Sequence, residues 1–488
     1  MSEITQGAPD GPAPGRTPTM GWALLPILSL MALLALGYAF YGDEASMGPN
    51  QVAMMLAGVI ALMVGRRFGY TMDEMRAAAL ESVGVGLPAI FILLAVGALI
   101  GTWAMSGTLV AMVYWGLQIL SPNYFYVSVV AICAAVSLSI GSSWTVVGTI
   151  GIGLMGVAAQ MGLNPAITAG AVISGAYFGD KSSPLSDSTN LACAAAGANL
   201  YRHIFETLWT SVPTLAIAML LFWMLGAPGD FDASGLTESL AASFNIGAVA
   251  FLPLVLVLLL AILKVPPFLT IFMGALGGAV VAVFLNPAIV IGAAQAPDMA
   301  NGLALIKGSW TAMATGFVST TGDAPLDRLL SRGGMESMLV TIWLILAALA
   351  FGGIVDRIGV LNRVLQPVLA LAHNTGRLIS AVVVTALGTN MLAADQYIAI
   401  VLPGKMFQEP FRKMRLAPEV LSRAVGDSAT VTGALVPWNS CGAFMAATLG
   451  VAAVDYLPFA FFNIANPLIT ILFGFMGWRM LKLDPAKA

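Results

Sequence analysis

Apolar residues follow one another for up to about 20 positions at a time along most of this chain, and polar residues collect between the runs. Trp22–Tyr41, Val52–Val64, Leu87–Met105, His203–Leu225, Ile246–Leu263, Phe268–Leu285 and Met338–Val355 are such runs. About 20 helical residues rising 1.5 Å each cross a hydrocarbon core of about 30 Å. The runs are continuous rather than alternating, which argues against a β-barrel. The pattern predicts an all-α polytopic membrane protein with about 10–12 membrane helices.

Composition agrees: 59% of residues are hydrophobic, 9% are charged, and the mean hydropathy is +0.90. Soluble domains carry roughly a quarter charged residues. The first twenty residues are polar and rich in Pro and Gly, which reads as a disordered tail over 1–20. No basic n-region or cleavage site marks Trp22–Tyr41 as a removed signal. Cys133, Cys193 and Cys441 are far apart, without CxxC spacing, so neither a disulfide framework nor a metal site is expected. The net charge of −3 carries no basic stripe for nucleic acid.

The second half echoes the first at a nearly constant offset. Pro165 pairs with Pro418 (418 − 165 = 253), Pro184 with Pro437 and Gly197 with Gly450. Arg66, Arg67 and Arg76 place one early loop in the cytoplasm, whereas Asp43–Glu44 and the acidic segment Asp230, Asp232, Glu238 read as external. The two copies then face opposite ways, as an inverted repeat. The expected division is repeat 1 over 21–228, an external linker over 229–244 and repeat 2 over 245–482, with both termini cytoplasmic. Basic residues on both sides of 378–408 predict a re-entrant hairpin turning near Thr389–Asn390. Its counterpart, Tyr124–Gln160, would turn at Gly141–Trp144. A single long, tilted helix is the alternative in each case.

One stretch breaks the apolar pattern sharply. Gly179-Asp180-Lys181-Ser182-Ser183-Pro184-Leu185-Ser186-Asp187-Ser188-Thr189-Asn190 follows about a hundred residues in which Glu81 is the only ionisable side chain apart from tyrosines and a cysteine. A charge at bilayer depth costs at least about 2.5–3.5 kcal/mol and is retained for a pathway or a binding site. Pro184 breaks the helix and frees carbonyls. Pro418–Gly450 carries a matching interruption at Val436–Ser440. Asp180, Asp187, Asp395 and Asp427 are the candidates for binding a cation or a proton, with Na+ placed at Asp180, Asp187 and Asp427. Burial raises the pKa of a carboxyl toward the range where H+ and Na+ compete for it. Lys181 suits an anion or a pairing role. Ser142, Ser143, Thr145, Ser186, Thr189 and Asn190 supply neutral ligands in the first half. Thr389, Asn390, Thr430, Asn439 and Ser440 supply them in the second.

Each candidate has a structural alternative. Asp180 and Lys181 can pair across the break, Asp187 can cap the following helix, and Asp395 can orient the hairpin turn. Membrane hydroxyls often bond their own helix at i−4. His203 and His373 flank spans, with surface or pH-tuning roles open. Gly84-x-Gly86 lacks a strand and a third glycine, so dinucleotide binding is unsupported. No Walker A, HExxH or GxSxG motif is present, which leaves neither an ATP-driven pump nor a common hydrolase indicated, no catalytic residues, and no cofactor expected.

The signature Gly175–Leu191, with Gly426-Asp427-Ser428 and Pro437-Trp438-Asn439-Ser440, resembles the NhaC family of bacterial Na+/H+ antiporters. The resemblance implies an electrochemically driven exchanger in the cytoplasmic membrane, with discontinuous helices, alternating access and a part in pH homeostasis. Relatives resembling malate/lactate exchangers and amino-acid carriers keep a second expectation open, Na+-coupled transport of a small organic acid or amino acid. The partners implied are the lipid bilayer, Na+ and H+. A small-molecule substrate and a homodimer stay open.

Overall fold

The computed structural model describes residues 16–226, 246–320, 330–370 and 373–483, with positions 240, 244 and 327. The expected acidic linker residues Asp230, Asp232 and Glu238 lie outside them, as do residues 1–15 of the tail. Arg16 donates to Glu74 at 3.2 Å, and the first helix starts at Met20. Among the described residues the fold is helical, broken only by two isolated bridges, Phe317 with Arg332 and Leu416 with Lys482. Nine of the described helices are long and apolar enough to cross a membrane. A tenth counts if Ser440–Leu449 and Ala453–Phe459, bent by 92° at their break, form one span. Every apolar run named above lies on a helix, and Ile246–Leu263 forms a shorter one, Ala248–Ile262.

The longest helix, Met72–Ser106, explains much of the layout. Its start is fixed by a capping box in which Thr71 and Glu74 satisfy each other's backbone N–H groups. At 35 residues it runs about 52 Å, more than a bilayer core, so its polar first turns (Asp73, Glu74, Arg76, Glu81) lie toward an interface and its remainder tilts. Lipid supplies no hydrophobic drive between helices, and contact comes from close approach. Gly97 and Gly101 admit the backbone of Gly334 and Ala312, and Gly274 accepts a bond from Trp103 Nε1 at 3.1 Å. Outer faces carry Leu28, Met31, Phe40, Phe284 and Trp310, as a lipid-facing surface requires.

Helix Pro165–Ser182 packs equally tightly on Phe125–Ile140. A Cβ on Gly179 would fall 2.2 Å from Leu138 N, and one on Gly175 would fall 2.4 Å from the Val130 carbonyl.

Four breaks interrupt the helices that matter. Phe125–Ile140 ends at Gly141 (φ 77°), and Ser142 starts the next helix by accepting from Thr145 N. Pro165–Ser182 gives way to Asp187–Ala196, capped by Ser186. Thr375–Leu392 ends near Ala394 (φ 55°), and Asp395 caps Gln396–Met406. The stretch from Pro418 ends before Ser440–Leu449, which is capped by Asn439. These features repeat at the sequence offset: Gly141 and Ala394 (394 − 141 = 253), Ser186 and Asn439 (439 − 186 = 253). The second-half turn therefore lies at Ala394 rather than at Thr389–Asn390. Thr389 stays helical and bonds back to the Thr385 carbonyl at 2.8 Å, while the Asn390 amide is occupied by the neighbouring Ala429 carbonyl.

Candidate ion-binding site

Asp180 sits in the last turn of Pro165–Ser182, where two other helix starts converge on it. Ser143, just past the Gly141 break, donates to its carboxylate at 2.6 Å. Ser186 donates at 2.5 Å and Ser188 at 3.3 Å, both from the start of Asp187–Ala196. Thr189 adds a bond at 3.0 Å to the Asp180 carbonyl. The sequence forces this convergence: Gly141 turns the chain, and the Pro184 break brings Ser186 back against its own helix.

A cavity of about 230 Å³ reaches this cage. Asp180, Asp187, Asp395, Trp144, Tyr397 and Lys264 are among the residues that line it, as are Ser142, Thr145 and Ser440. Trp144 is held by stacking on Phe444, with centroids 4.1 Å apart and planes at 15°. One expected alternative is revised here. Asp187 is not the cap of its helix; Ser186 is, leaving Asp187 exposed at the cavity and accepting from the Tyr397 hydroxyl at 2.6 Å. Asp395 caps Gln396–Met406 through a 3.0 Å bond from Ile398 N and at the same time lines the cavity.

Lys181 does not pair with Asp180. Consecutive residues on a helix project about 100° apart, and Lys181 turns away from the cavity into a second, sealed cluster. There its ammonium bonds Asp427, both side chains being almost wholly buried. Asp427 lies on a π-helical turn, Gly426–Thr430, a distortion frequent at functional sites. Its other carboxylate oxygen takes the Thr470 hydroxyl, and its backbone carbonyl takes the Asn466 amide at 3.1 Å. Three of the second-half candidates gather at this turn. Asn390 bonds the Ala429 carbonyl and Thr432, and Asn439 bonds the Asn390 carbonyl at 3.0 Å. Thr430 is buried in the same turn. Asn190 is exposed and satisfies carbonyls of its own break, Ser186 at 2.6 Å and Pro184 at 3.2 Å.

The candidates thus fall into a cavity group around Asp180 and a sealed group around Asp427. Among the described residues no three His, Cys, Asp or Glu side chains gather as a metal-binding cluster would. An ion at Asp180 would draw its remaining ligands from hydroxyls and carbonyls, as a hard cation does.

The profile of the Na+/H+ antiporter family matches residues 16–225 and 175–478. This chain belongs to the Na+/H+ antiporter family. It is 37% identical to the Na+/H+ antiporter NhaC of Alkalihalophilus pseudofirmus, over 94% of this chain and 96% of that one. It is 34% identical to the arginine/ornithine antiporter ArcD of Halobacterium salinarum, over 97% and 96% of the two chains. It is also 33% identical to the malate-2H+/Na+-lactate antiporter of Bacillus subtilis, over 95% and 96%.

Within this antiporter-family chain, several site residues escaped the sequence reading. Thr470 and Asn466 are the clearest, and a signal existed: Asn463, Asn466 and Thr470 form a polar stripe at i, i+3 and i+7 of the otherwise apolar helix Phe461–Met476. His203, expected beside a cytoplasmic surface, is instead buried in the core, because its helix turns it inward onto Ser422.

Proposed function

We propose that this chain is a secondary active Na+/H+ antiporter of the bacterial cytoplasmic membrane, trading Na+ for H+ at Asp180 by alternating access. The observation that carries the reading is one buried carboxylate receiving three hydroxyl donors at the end of an open cavity. A hydroxyl that donates keeps two lone pairs. Turning the three O–H bonds away presents those oxygens, with the carboxylate, to a sodium ion. Protonation of Asp180 removes the charge that holds the ion. Lys181 neutralises Asp427 internally, so Asp180 carries the exchangeable charge. No chemical step is asked of the protein, and no cofactor enters.

The breaks recurring at 253 residues support two repeats, over 21–228 and 245–482, joined by 229–244. Their inverted orientation rests on charge: Arg66, Arg67, Lys264, Arg412, Lys413 and Arg479 all place their loops and the C-terminus in the cytoplasm. In proteoliposomes with a preset pH gradient, Na+ should dissipate the gradient, and Asp180→Asn should abolish the effect. Full exchange in Asp180→Asn refutes the site.

A second reading has one observation in its favour. The cavity of about 230 Å³ is far larger than a bare Na+ requires, and Lys264 stands on its wall among the acids. A small organic acid or amino acid would fit such a space, as the names of two relatives suggest. Accumulation of radiolabelled malate, lactate or arginine driven by Na+ would select it.

A further inference from the structure

A second cavity, of about 420 Å³, lies at the opposite end of helices that build the first. Pro165–Ser182 lines the first cavity with Asp180 and the second with Pro165, about 22 Å away along the helix. Ser440–Leu449 gives Ser440 and Cys441 to the first, and Ala447, Thr448 and Leu449 to the second. Met72–Ser106 reaches the first through Val85 and Ile92 and the second through Ile100. Ile100 is toward the end of that helix remote from the Arg66–Arg67 loop, so the orientation proposed above turns the second cavity to the external face.

The two walls differ in charge. The first carries three aspartates beside Lys264, whereas the second carries, among the described residues, Arg332 and no carboxylate. A guanidinium stays protonated, so this wall repels Na+ and attracts an anion. The main chain beneath Arg332 is fixed. Its N–H donates to the Leu330 carbonyl at 2.9 Å, its carbonyl accepts from Phe317 at 3.3 Å, and Gly334 N–H bonds the Gly97 carbonyl at 2.7 Å. Gly333, at φ 87°, turns so close to Met72–Ser106 that a Cβ would fall 2.3 Å from Gly101 N. The side chain, in contrast, is exposed, and among the described residues no acid pairs with it.

Two hydroxyls extend the donor set. Ser331 Oγ accepts from Ser319 N–H at 2.9 Å, which leaves its own proton to give. Thr448 is 4% exposed, and its hydroxyl has no partner among the described residues. A change of χ1 rotamer, about 120°, exchanges that hydroxyl with its methyl at the wall. Ile100, Met155, Leu449 and Val451 make the rest of the lining strongly apolar. A chloride ion would leave those side chains facing water. A carboxylate takes the guanidinium through both oxygens and lays its carbon skeleton on them.

We propose that this second cavity binds an organic monocarboxylate with an apolar body, held by Arg332, Ser331 and Thr448. One uncompensated positive charge matches a monoanion better than a dicarboxylate. The site is distinct from the Asp180 cage and does not depend on exchange there.

The test is the Tm of the purified, detergent-solubilised protein titrated with butyrate, against sodium chloride at equal ionic strength. A ligand that binds the folded form raises Tm with concentration. Butyrate should raise the parent Tm beyond the chloride control. In Arg332→Gln the concentration needed should increase at least tenfold, and in Ser331→Ala and Thr448→Val severalfold. Thr448→Val fills the same space and removes an unsatisfied hydroxyl, so that protein should fold as well as the parent. Lys264→Gln, in the wall of the first cavity, should respond to butyrate as the parent does. No rise beyond chloride in the parent overturns the proposal, and so does a parental response in Arg332→Gln. If the response is lost in Lys264→Gln and kept in Arg332→Gln, the carboxylate sits in the first cavity and the site proposed here is refuted. Should Arg332→Gln not fold, parental responses in both Ser331→Ala and Thr448→Val overturn it. None of these results bears on the antiport reading, which the pH-gradient assay on Asp180→Asn decides separately.

Discussion

The two interruptions of this membrane chain handle a buried carboxylate in opposite ways. At the first, Asp180 is surrounded by neutral hydroxyls and faces an open cavity; it is stabilised by donors that can turn away. At the second, Asp427 is closed off by a fixed cation and by Thr470, with a π-helical turn holding it in place. The two aspartates are not copies of each other either. At the 253-residue offset, Asp180 corresponds to Gly433 (433 − 180 = 253) and Asp427 to Ser174 (427 − 253 = 174). The break geometry repeats, whereas the chemistry placed on it has diverged. On the proposed reading, one half presents a charge to exchange, and the other holds a charge already balanced.

The largest effect should come from splitting the sealed pair. Asp427→Asn leaves the Lys181 ammonium without its counter-charge in the interior, a loss of about 3–5 kcal/mol. Thermal unfolding of the detergent-solubilised protein should show it as a marked fall in Tm. Replacing both partners, Lys181→Met with Asp427→Leu, removes the uncompensated charge and should restore most of that stability. Asp180→Asn should behave in the contrary fashion, with near-parental Tm and no exchange, because its serine donors can still reach an amide oxygen. A fully stable Asp427→Asn protein would erase the distinction between the two sites.

A smaller effect is expected where backbone meets backbone behind Asp180. In Gly179→Ala the new methyl would press on Leu138 N at 2.2 Å, with main chain that cannot swing aside. Overpacking of this kind costs about 1–3 kcal/mol. The separation of the helices it forces would also carry Asp180 away from Ser143, which belongs to the chain that continues from Leu138. Lower Tm together with a raised half-saturating Na+ concentration is the expected outcome. Lower Tm with unchanged Na+ dependence would show that the cage tolerates movement of its supporting helix.

How much of this was legible in the sequence follows from what is local. The spans were readable because a hydrocarbon core demands continuous apolar runs. Ser186 and Thr189 were readable because they lie within a few residues of a proline break, and Ser143 because it follows a glycine turn. Ser188 was missed, and that Ser143 meets Asp180, 37 residues on, took packing to show. Lys181 with Asp427 was not readable, since 246 residues separate them and only packing brings them together. Neither was the turn at Ala394, where a non-glycine residue takes a left-handed conformation that no local signal announces. The polar stripe Asn463, Asn466, Thr470 was visible, yet without the partner helix it reads like any buried polar ladder. His203 misled for the reverse reason. Its place at the edge of a span suggested a surface, while its helix turns the imidazole inward onto Ser422.

The smallest effect concerns the cavity wall and separates two roles for Asp187. The Tyr397 hydroxyl donates to Asp187 Oδ2 at 2.6 Å, joining the helix after one break to the helix after another. If Asp187 takes part in drawing Na+ toward Asp180, that hydroxyl competes with the ion for an acceptor oxygen. Tyr397→Phe then frees the oxygen, and a hydrogen bond worth about 0.5–1.5 kcal/mol translates into a fall of roughly two- to tenfold in half-saturating Na+. If the contact is only a strut between Asp187–Ala196 and Gln396–Met406, the same change lowers Tm slightly and leaves Na+ dependence untouched. Asp187 is exposed, so the ion reaches it hydrated and is held there weakly. We therefore expect the fall in half-saturating Na+ to be near twofold, and a titration of exchange rate against Na+ in parent and Tyr397→Phe proteoliposomes resolves it.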